Sequence, residues 1–320
     1  MKRQILIVGG CGYVGGHMTD HLIEEGHDVT VYDGLVYESR YLKDAEFIRG
    51  DIRNRELLST LLPKFDTVIW LAAIVGDGAC AIDPCLTQSI NEDSVKWLVD
   101  HYKGKIVYAS TCSVYGKNDA ILDENAALNP LSWYAKTKLA AEQYIFNKHP
   151  GSLIFRLGTL FGKGDNQSRI RLDLVVNALT RRACHGETLK VFGGEQWRPL
   201  LHVKDVARAV NFGLCNQISG LFNLSLANYT IANIAEAVSV IVYDQTKRMV
   251  KIEYNDLAFE DQRNYQVNST KWDNRGWEPN YTLSDGIKEM IRIFEQKRLK
   301  NEDDPVYSNQ GYLNEKFWRI

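Results

Sequence analysis

The side chains best suited to chemistry in this sequence are a tyrosine and a lysine four residues apart, Tyr134 and Lys138. A helix would place both on one face. The spacing alone is weak evidence, since four of the 16 tyrosines have it. Tyr134 stands out because the hydroxyl-rich run Ser110-Thr111-Cys112-Ser113 ends the apolar segment before it, and parallel sheets bind ligands at the carboxyl ends of their strands. The predicted catalytic residues are therefore Thr111, Tyr134 and Lys138.

A second group of residues is suited to hold a dinucleotide. Gly9, Gly12 and Gly15 form G-x-x-G-x-x-G between a predicted strand and a predicted helix. In such a turn the first glycine permits the tight bend, the second lets a pyrophosphate approach, and the third lets helix and strand pack closely. Asp33 ends the next strand and can accept a hydrogen bond from a ribose 2′-hydroxyl. A carboxylate there would repel a 2′-phosphate, which favours NAD over NADP.

Together these two groups predict the oxidation of an alcohol. A tyrosine phenol has an unperturbed pKa of ~10, and lowering that pKa to ~7 takes about 4 kcal/mol. The Lys138 ammonium and an oxidised nicotinamide would both favour the phenolate. Tyr134 would then take a hydroxyl proton while NAD accepts the carbon-bound hydride, and Thr111 would hydrogen-bond the same oxygen.

The segments that carry these residues alternate between strand and helix. Apolar runs without polar alternation predict buried strands at 4–9, 28–32, 46–48, 67–71, 105–109 and 153–155. Apolar spacing predicts helices from Val14 and near 54–62, 86–102, 133–147, 172–185, 205–215, 231–243 and 284–297. This order predicts an α/β fold, a Rossmann doubly wound parallel sheet with helices on both faces and a smaller, discontinuous substrate domain.

A chain of 320 residues has room for about two domains. We expect 1–159 to form the NAD-binding domain, with 200–225 returning to it. The segments 160–199 and 226–300 would form the substrate domain. Residues 301–320 are a polar tail whose aromatic side chains favour docking on the body of the protein or on a partner: Tyr307, Tyr312, Phe317 and Trp318.

Composition excludes several classes of partner. With 38 Lys and Arg against 40 Asp and Glu, the net charge of −2 gives no general attraction to nucleic acid or to an anionic membrane. The longest apolar stretch, 68–75, is far too short to span a bilayer. The cysteines and histidines show no zinc-site spacing. We therefore expect a cytoplasmic protein without a metal, nucleic-acid or membrane partner.

The motifs together resemble the extended short-chain dehydrogenase/reductase family, and more narrowly its sugar-nucleotide epimerases and dehydratases. The resemblance runs from residue 4 to about 298 and includes Gly50-Asp51-Ile52, which could meet the adenine, and Thr111-x-x-Val114-Tyr115-Gly116. It implies bound NAD, a nucleoside-diphosphate sugar as substrate, and oxidation at C4 of the sugar. The cofactor residues that follow are Gly9, Gly12, Tyr13, Val14, Gly15, Asp33, Asp51, Ile52, Leu71, Ala72, Ala73, Tyr134 and Lys138.

The resemblance assigns two arginines to the substrate, Arg198 within 197–206 as a diphosphate ligand and Arg263 within 261–265 as a second diphosphate or sugar ligand. The planar fork of a guanidinium suits phosphate oxygens. Arg171 adds a cation beside a predicted helix start and is expected to line the same pocket. The predicted substrate-binding residues are Asp77, Cys112, Ser113, Thr159, Arg171, Arg198 and Arg263.

Three departures from the family's motifs narrow the choice among the reactions that the family catalyses. Cys112 and Ser113 follow Thr111 where the 4,6-dehydratases have Asp-Glu, so the acid/base pair that expels water is missing. Thr159 stands where many members have Asn. The loop 73–80 is similar to a subgroup that includes GDP-mannoheptose 4-dehydrogenases, rather than to the usual UDP-sugar epimerases.

The favoured hypothesis is a 4-epimerase, in which the 4-keto sugar turns and hydride returns to its other face. A 4-dehydrogenase that releases the keto sugar needs the same residues, and the sequence does not separate the two. A 4,6-dehydratase and a non-catalytic NAD-binding protein are less favoured. The resemblance also implies a homodimer, in which helices near 90–102 and 134–147 form a four-helix bundle.

Overall fold

The computed structural model describes residues 2–256 and 263–316. The strands are β1 Gln4–Val8, β2 Asp28–Asp33, β3 Glu46–Arg49, β4 Thr67–Trp70, β5 Lys105–Thr111, β6 Lys117–Leu122, β7 Leu153–Leu157, β8 Thr159–Phe161, β9 Leu189–Phe192, β10 Trp197–His202, β11 Gly220–Leu224, β12 Ala227–Thr230, β13 Ile252–Asn255 and β14 Asn264–Val267. The helices are α1 Tyr13–Glu24, α2 Arg55–Leu61, α3 Asp77–Ile82, α4 Pro84–Gln88, α5 Ser94–His101, α6 Trp133–Lys148, α7 Val175–Cys184, α8 Val203–Cys215, α9 Ile231–Thr246, α10 Thr270–Asp273, α11 Leu283–Glu295 and α12 Asn309–Lys316.

Seven strands form one parallel sheet in the order β11-β7-β5-β4-β1-β2-β3. β1 lies between β2 and β4, so that Val8 is opposite both Tyr32 and Trp70. The strand order reverses at β1, and open α/β sheets bind ligands in the crevice at such a reversal. The predicted Rossmann fold is confirmed.

The apolar strand runs are explained by cores on both faces of this sheet. Ile5 and Ile7 point to the face that α1 and α8 cover, where Met18 and Val210 pack against them. Alternate residues of the same strand, including Leu6, lie among α2, α5 and α6 on the other face. A strand buried on both sides has no polar alternation, which is why its sequence is continuously apolar.

The second half of the chain builds a separate core. Helices α7, α9 and α11 pack around buried residues such as Val176, Ile234 and Ile287. β11, from the 200–225 segment, lies beside β7 at the edge of the main sheet. The domain boundaries stay a prediction, although β11 joins the sheet as that division requires.

Two features of the fold were not predicted from the sequence, whereas a third, the docking of the C-terminal tail, agrees with the expectation. β6 pairs in parallel with β14, so a segment near residue 120 lies beside one near 265. One π-helical turn, Ser89–Asp93, joins α4 to α5 in a continuous helix. α12 packs against α3, so the tail docks on the body of the protein. Phe317, Trp318 and Asp261 lie outside the described residues. No helix in the described ranges is long and apolar enough to cross a membrane.

Candidate active site

The turn after β1 has the shape that a dinucleotide cradle needs. Gly9 has a φ of +90°, and a Cβ on it would lie 2.5 Å from the main-chain nitrogen of Ala72. A Cβ on Gly15 would lie 2.3 Å from the Gly9 carbonyl oxygen. At Gly12 the nearest atom is 3.4 Å away, so that glycine borders open space. The backbone therefore fits a pyrophosphate at the N-terminus of α1, where free N–H groups and the helix dipole favour an anion.

Asp33 holds this turn in place. Its carboxylate accepts hydrogen bonds from the main-chain nitrogens of Cys11 at 3.0 Å and Leu35 at 2.7 Å. Burial raises the pKa of Asp33. Asp51 instead forms an ion pair with Arg53 at 2.5 Å, on a more exposed turn. The contacts of Asp33 with a ribose and of Asp51 with the adenine stay predictions.

The remaining predicted cofactor residues lie in the segments that follow β1, β3 and β4. Ala72, between Leu71 and Ala73, donates a main-chain hydrogen bond to the Val8 carbonyl at 2.9 Å. The Tyr13 hydroxyl donates to the Gly162 carbonyl at 2.6 Å, which joins α1 to the segment after β8. The predicted residues Ile52 and Val14 pack in adjoining apolar clusters. These segments follow the carboxyl ends of strands of the main sheet, the edge where such sheets bind ligands, and their contacts with NAD stay a prediction.

The structure brings the three predicted catalytic residues together. Thr111 is the last residue of β5, and its hydroxyl lies close enough to the Tyr134 phenol to lower the pKa of that phenol. Ser132 caps α6 by accepting from the main-chain nitrogen of Ala135, which sets Tyr134 in the first turn. Lys138 lies one turn later and is 3% exposed. Its ammonium is 4.2 Å from the centre of the Tyr108 ring.

The pKa of Tyr134 is raised in the protein alone, whereas the sequence suggests that it is lowered. Burial raises the pKa of the Tyr134 phenol above its usual value, and Asp77 adds to this shift, whereas Thr111 and Arg171 oppose it. Burial also lowers the pKa of Lys138 to about 7. A lysine with that pKa carries only about half a charge at neutral pH, so it is a weak cation for stabilising a phenolate. The protein's own groups therefore keep Tyr134 protonated.

Three predicted substrate residues lie next to one another. A guanidinium nitrogen of Arg263 is 3.3 Å from an Asp77 carboxylate oxygen. The Ser132 hydroxyl donates to the other Asp77 oxygen at 2.6 Å. Arg198 is buried and donates to the Arg263 carbonyl at 2.5 Å. Because Ser132 caps the helix of Tyr134, this group adjoins the catalytic residues.

Two further predicted substrate residues, Arg171 and Thr159, lie after β7 in the chain. Arg171 forms a bidentate ion pair with Asp173, at 2.7 and 3.0 Å, and its charge acts on Tyr134. The Arg171 guanidinium is also 5.9 Å from the Tyr13 ring centre. Thr159 begins β8, opposite Leu200 of β10.

Cys112 is more deeply buried than a substrate contact suggests, and its predicted contact with a substrate stays a prediction. It is 1% exposed, and its thiol donates to the Arg156 carbonyl at 3.2 Å. Burial raises the pKa of this thiol, so it is neither a nucleophile nor a proton donor at neutral pH. The structure gives Cys112 a packing role. The Ser113 hydroxyl lies 3.3 Å from that of Tyr265, so its predicted contact with a substrate stays a prediction.

Comparison with known proteins identifies the family. The model of the NAD dependent epimerase/dehydratase family matches residues 5–224. The chain is 30% identical over 305 residues to a putative UDP-glucose 4-epimerase of Methanocaldococcus jannaschii, covering 90% of this chain and 97% of that protein. It is 29% identical over 317 residues to the UDP-glucose 4-epimerase of Rhizobium meliloti, covering 88% and 94%.

A solved structure agrees with these relatives. The UDP-glucose 4-epimerase of Thermotoga maritima, determined with UDP-glucose, is 25% identical, with a TM-score of 0.77 and coverage of 92% of this chain and 99% of that chain. The chain belongs to the NAD-dependent epimerase/dehydratase family. It is therefore an NAD-dependent enzyme, and NAD is the cofactor that the glycine cradle has to fit. The narrower resemblance to GDP-mannoheptose 4-dehydrogenases stays a prediction.

Two residues that the sequence analysis did not identify, Asn91 and Glu142, hold neighbouring segments of the site in place. The Asn91 side chain makes two hydrogen bonds to the main chain of Ile74, at 2.8 and 2.9 Å, from the π-helical turn. Glu142 lies one turn beyond Lys138 and pairs with Arg156 at 2.6 Å. The spacing of Tyr134, Lys138 and Glu142 was visible in the sequence, but the π turn and the partner of Glu142 were not. In the described ranges, no group of three His, Cys, Asp or Glu side chains could hold a metal ion.

Proposed function

We propose that this enzyme is a nucleoside-diphosphate-sugar 4-epimerase that acts on a UDP-sugar. The observation that carries the proposal is the grouping of Thr111, Tyr134 and Lys138 at the carboxyl edge of the sheet, beside Asp77 and the arginines. The named activities of the curated relatives support the choice of a UDP-sugar.

In this proposal the charge of bound oxidised nicotinamide would offset the effect of burial on the pKa of Tyr134. The Tyr134 phenolate would then remove the proton of the C4 hydroxyl, and Thr111 would hold the oxygen by a hydrogen bond. Lys138, with a pKa of about 7, can accept or release a proton at neutral pH. It can therefore restore the phenolate of Tyr134 after each proton transfer. Bound NAD supplies the acceptor for the C4 hydride and, once reduced, the donor that returns it. Arg198 and Arg263 bind the diphosphate, which leaves the sugar next to Tyr134.

The surroundings of Thr111 argue against elimination of water. A 4,6-dehydratase needs an acid and a base directly after this threonine, and here Cys112 is buried against Arg156 while Ser113 lies against Tyr265. Neither side chain has a pKa suited to proton transfer at neutral pH.

The burial of the catalytic residues favours an epimerase over a dehydrogenase. Thr111 is 7% exposed and Lys138 is 3% exposed. A 4-epimerase must retain its keto sugar until the hydride returns, whereas a dehydrogenase must release it. Deep burial of the catalytic side chains therefore suits the first cycle better.

The test is product analysis by mass spectrometry and NMR with UDP-, GDP-, CDP- and dTDP-sugars. We expect UDP-glucose to give a product of unchanged mass that is inverted at C4. Loss of two hydrogens would make the enzyme a dehydrogenase, and loss of water would make it a dehydratase. Tyr134→Phe should abolish turnover. The matched control is Tyr144→Phe, on the same helix and with the same spacing to a lysine, which should remain active.

Two further properties belong to the proposal. We propose a homodimer through α5 and α6, supported by Trp133 and Phe146, which are exposed on α6, and light scattering would measure its mass. We also propose a cytoplasmic location, because all six cysteines are free, as is usual in a reducing compartment.

A further inference from the structure

The C-terminal segment, residues 305–316, packs beside the active site. Tyr312 and Leu313 of α12 are buried in an apolar cluster that includes Ile74 and Cys80. Tyr134 packs against the same cluster. The end of the chain is therefore joined to the surroundings of the catalytic tyrosine, although nearly 180 residues separate them in sequence.

Asn309 connects this segment to the site. It is 4% exposed, and its side-chain nitrogen donates to the Val75 carbonyl at 2.8 Å. Its main-chain nitrogen donates to the Asp173 carboxylate at 2.9 Å. Its side-chain oxygen accepts from the Arg169 guanidinium. The main-chain and side-chain groups of Asn309 thus hold two loops in place, 71–76 and 162–174.

Each of these loops leads to a residue of the proposed substrate site. Val75 precedes Gly76, whose φ is +102°, and Asp77 follows directly at the start of α3. A glycine there leaves the loop without side-chain restraint, so the bond from Asn309 fixes the chain just ahead of Asp77. On the other side, Asp173 is the ion-pair partner of Arg171.

Arg169 extends the connection to the loop after β2. Its guanidinium is 3.9 Å from the centre of the Tyr37 ring and donates to the Val306 carbonyl at 2.6 Å. Its main-chain nitrogen donates to Glu38 at 2.7 Å. The C-terminal segment therefore lies between the NAD-binding half and the second half of the chain, and contacts both.

We propose that the C-terminal segment completes the sugar-binding part of the active site, with Asn309 as the residue that positions it. Asn309 sets the Val75–Gly76 link, and with it Asp77, against the Asp173–Arg171 pair. The sugar of the nucleoside-diphosphate sugar occupies the space that these two sides define. This inference rests on the proposed function, because it assigns the role of the segment to that substrate.

The test compares Asn309→Ala with Asn314→Ala, an exposed asparagine on the same helix. Asn309→Ala should raise the KM for UDP-glucose at least tenfold, lower kcat by less than threefold, and leave the amount of co-purified NAD unchanged. Asn314→Ala should match the wild type in all three. Asn309→Asp keeps an acceptor for Arg169 but loses the donor to Val75, so it should behave like Asn309→Ala.

A second measurement does not depend on turnover. Hydrogen exchange of residues 74–80 should become faster in Asn309→Ala and stay unchanged in Asn314→Ala. Unchanged exchange together with an unchanged KM would overturn the inference. A lower KM in Asn309→Ala would also overturn it, because the segment would then obstruct the site. If wild-type protein shows no binding of UDP-glucose by calorimetry, the proposed function and its substrate fail, whereas normal wild-type binding with an unaffected variant refutes the role of Asn309 alone.

Discussion

The buried ion pair between Arg156 and Glu142 supports the helix of Tyr134 and Lys138, and it can be removed one charge at a time. Both residues are 2% exposed. The Arg156 Nη2 to Glu142 Oε1 distance is 2.6 Å, and Nε lies 3.1 Å from Oε2. Ser110 donates to the same carboxylate at 2.5 Å, and Arg156 donates to the Tyr115 hydroxyl at 2.8 Å. Arg156→Met would leave the carboxylate buried without its cation.

The expected loss of stability is large. Removing one partner of a buried pair costs about 3–5 kcal/mol, because the remaining charge stays desolvated. With an unfolding entropy of ~2.1 cal/mol/K per residue, each kcal/mol shifts the Tm of a 320-residue chain by roughly 1.5 °C, so Arg156→Met should lower Tm by at least about 4 °C. Glu142→Leu should have a similar effect. The double variant buries no unpaired charge and should recover part of the loss, giving a coupling energy of about 2 kcal/mol or more.

Thermal and urea unfolding of the four proteins, followed by circular dichroism, measures this coupling. Activity provides an independent measurement, because the Glu142 charge raises the pKa of Lys138 against the effect of burial. In the pH profile of kcat, the limb that reports the ionisation of Lys138 should therefore move to lower pH in Glu142→Gln. Single variants that lose less than 1 kcal/mol each, with additive effects in the double variant, would refute this account of the pair.

Three other predictions concern the cofactor, the diphosphate and acid stability. Gly15→Ala should purify with much less NAD, because its Cβ would lie 2.3 Å from the Gly9 carbonyl; a full complement of NAD in released-nucleotide assays would contradict this. Arg198→Ala should weaken UDP binding by roughly 10–100-fold in calorimetry, as expected for loss of charge-assisted hydrogen bonds, and a change below twofold would place the diphosphate elsewhere. Burial opposes ionisation of Glu289, but hydrogen bonds from His202 and Lys204 lower its pKa from 4.5 to about 2. The wild type should therefore lose about 3 kcal/mol of stability as the pH falls from 4.5 to 2, and Glu289→Gln, less stable at pH 7, should not show this loss.

Much of the fold could be predicted from the sequence, because a strand that is buried on both faces appears in the sequence as a continuous run of apolar residues. The run 4–9 predicted β1, and the four-residue spacing of Tyr134 and Lys138 predicted that they share a helical face. Thr111 could be added because strand ends in a parallel sheet lie at one edge. These inferences depend on local pattern and on the general geometry of such sheets.

The parts that could not be predicted depend on contacts between distant segments. Nothing near Asn309 in the sequence points to Val75 or Asp173, and no pattern marks the π turn that aims Asn91 at Ile74. The packing of Cys112 also depends on a contact between distant segments, since its thiol donates to the Arg156 carbonyl of β7.

The pKa of Tyr134 depends on burial that a sequence does not display. The sequence suggests a charged lysine beside the tyrosine, whereas the fold desolvates Lys138 and lowers its pKa to about 7. Burial of Tyr134 therefore opposes the lowering of its pKa that the residue types suggest.

The central claim is that hydride leaves C4 of a UDP-sugar and returns to the same carbon of the same molecule. UDP-glucose deuterated at C4 tests this most directly, with the C4 epimer analysed by NMR and mass spectrometry. The account predicts an epimer that retains its deuterium at C4, with no net accumulation of reduced cofactor. An epimer that has lost the deuterium to solvent, or deuterium that accumulates in free reduced cofactor, would contradict it.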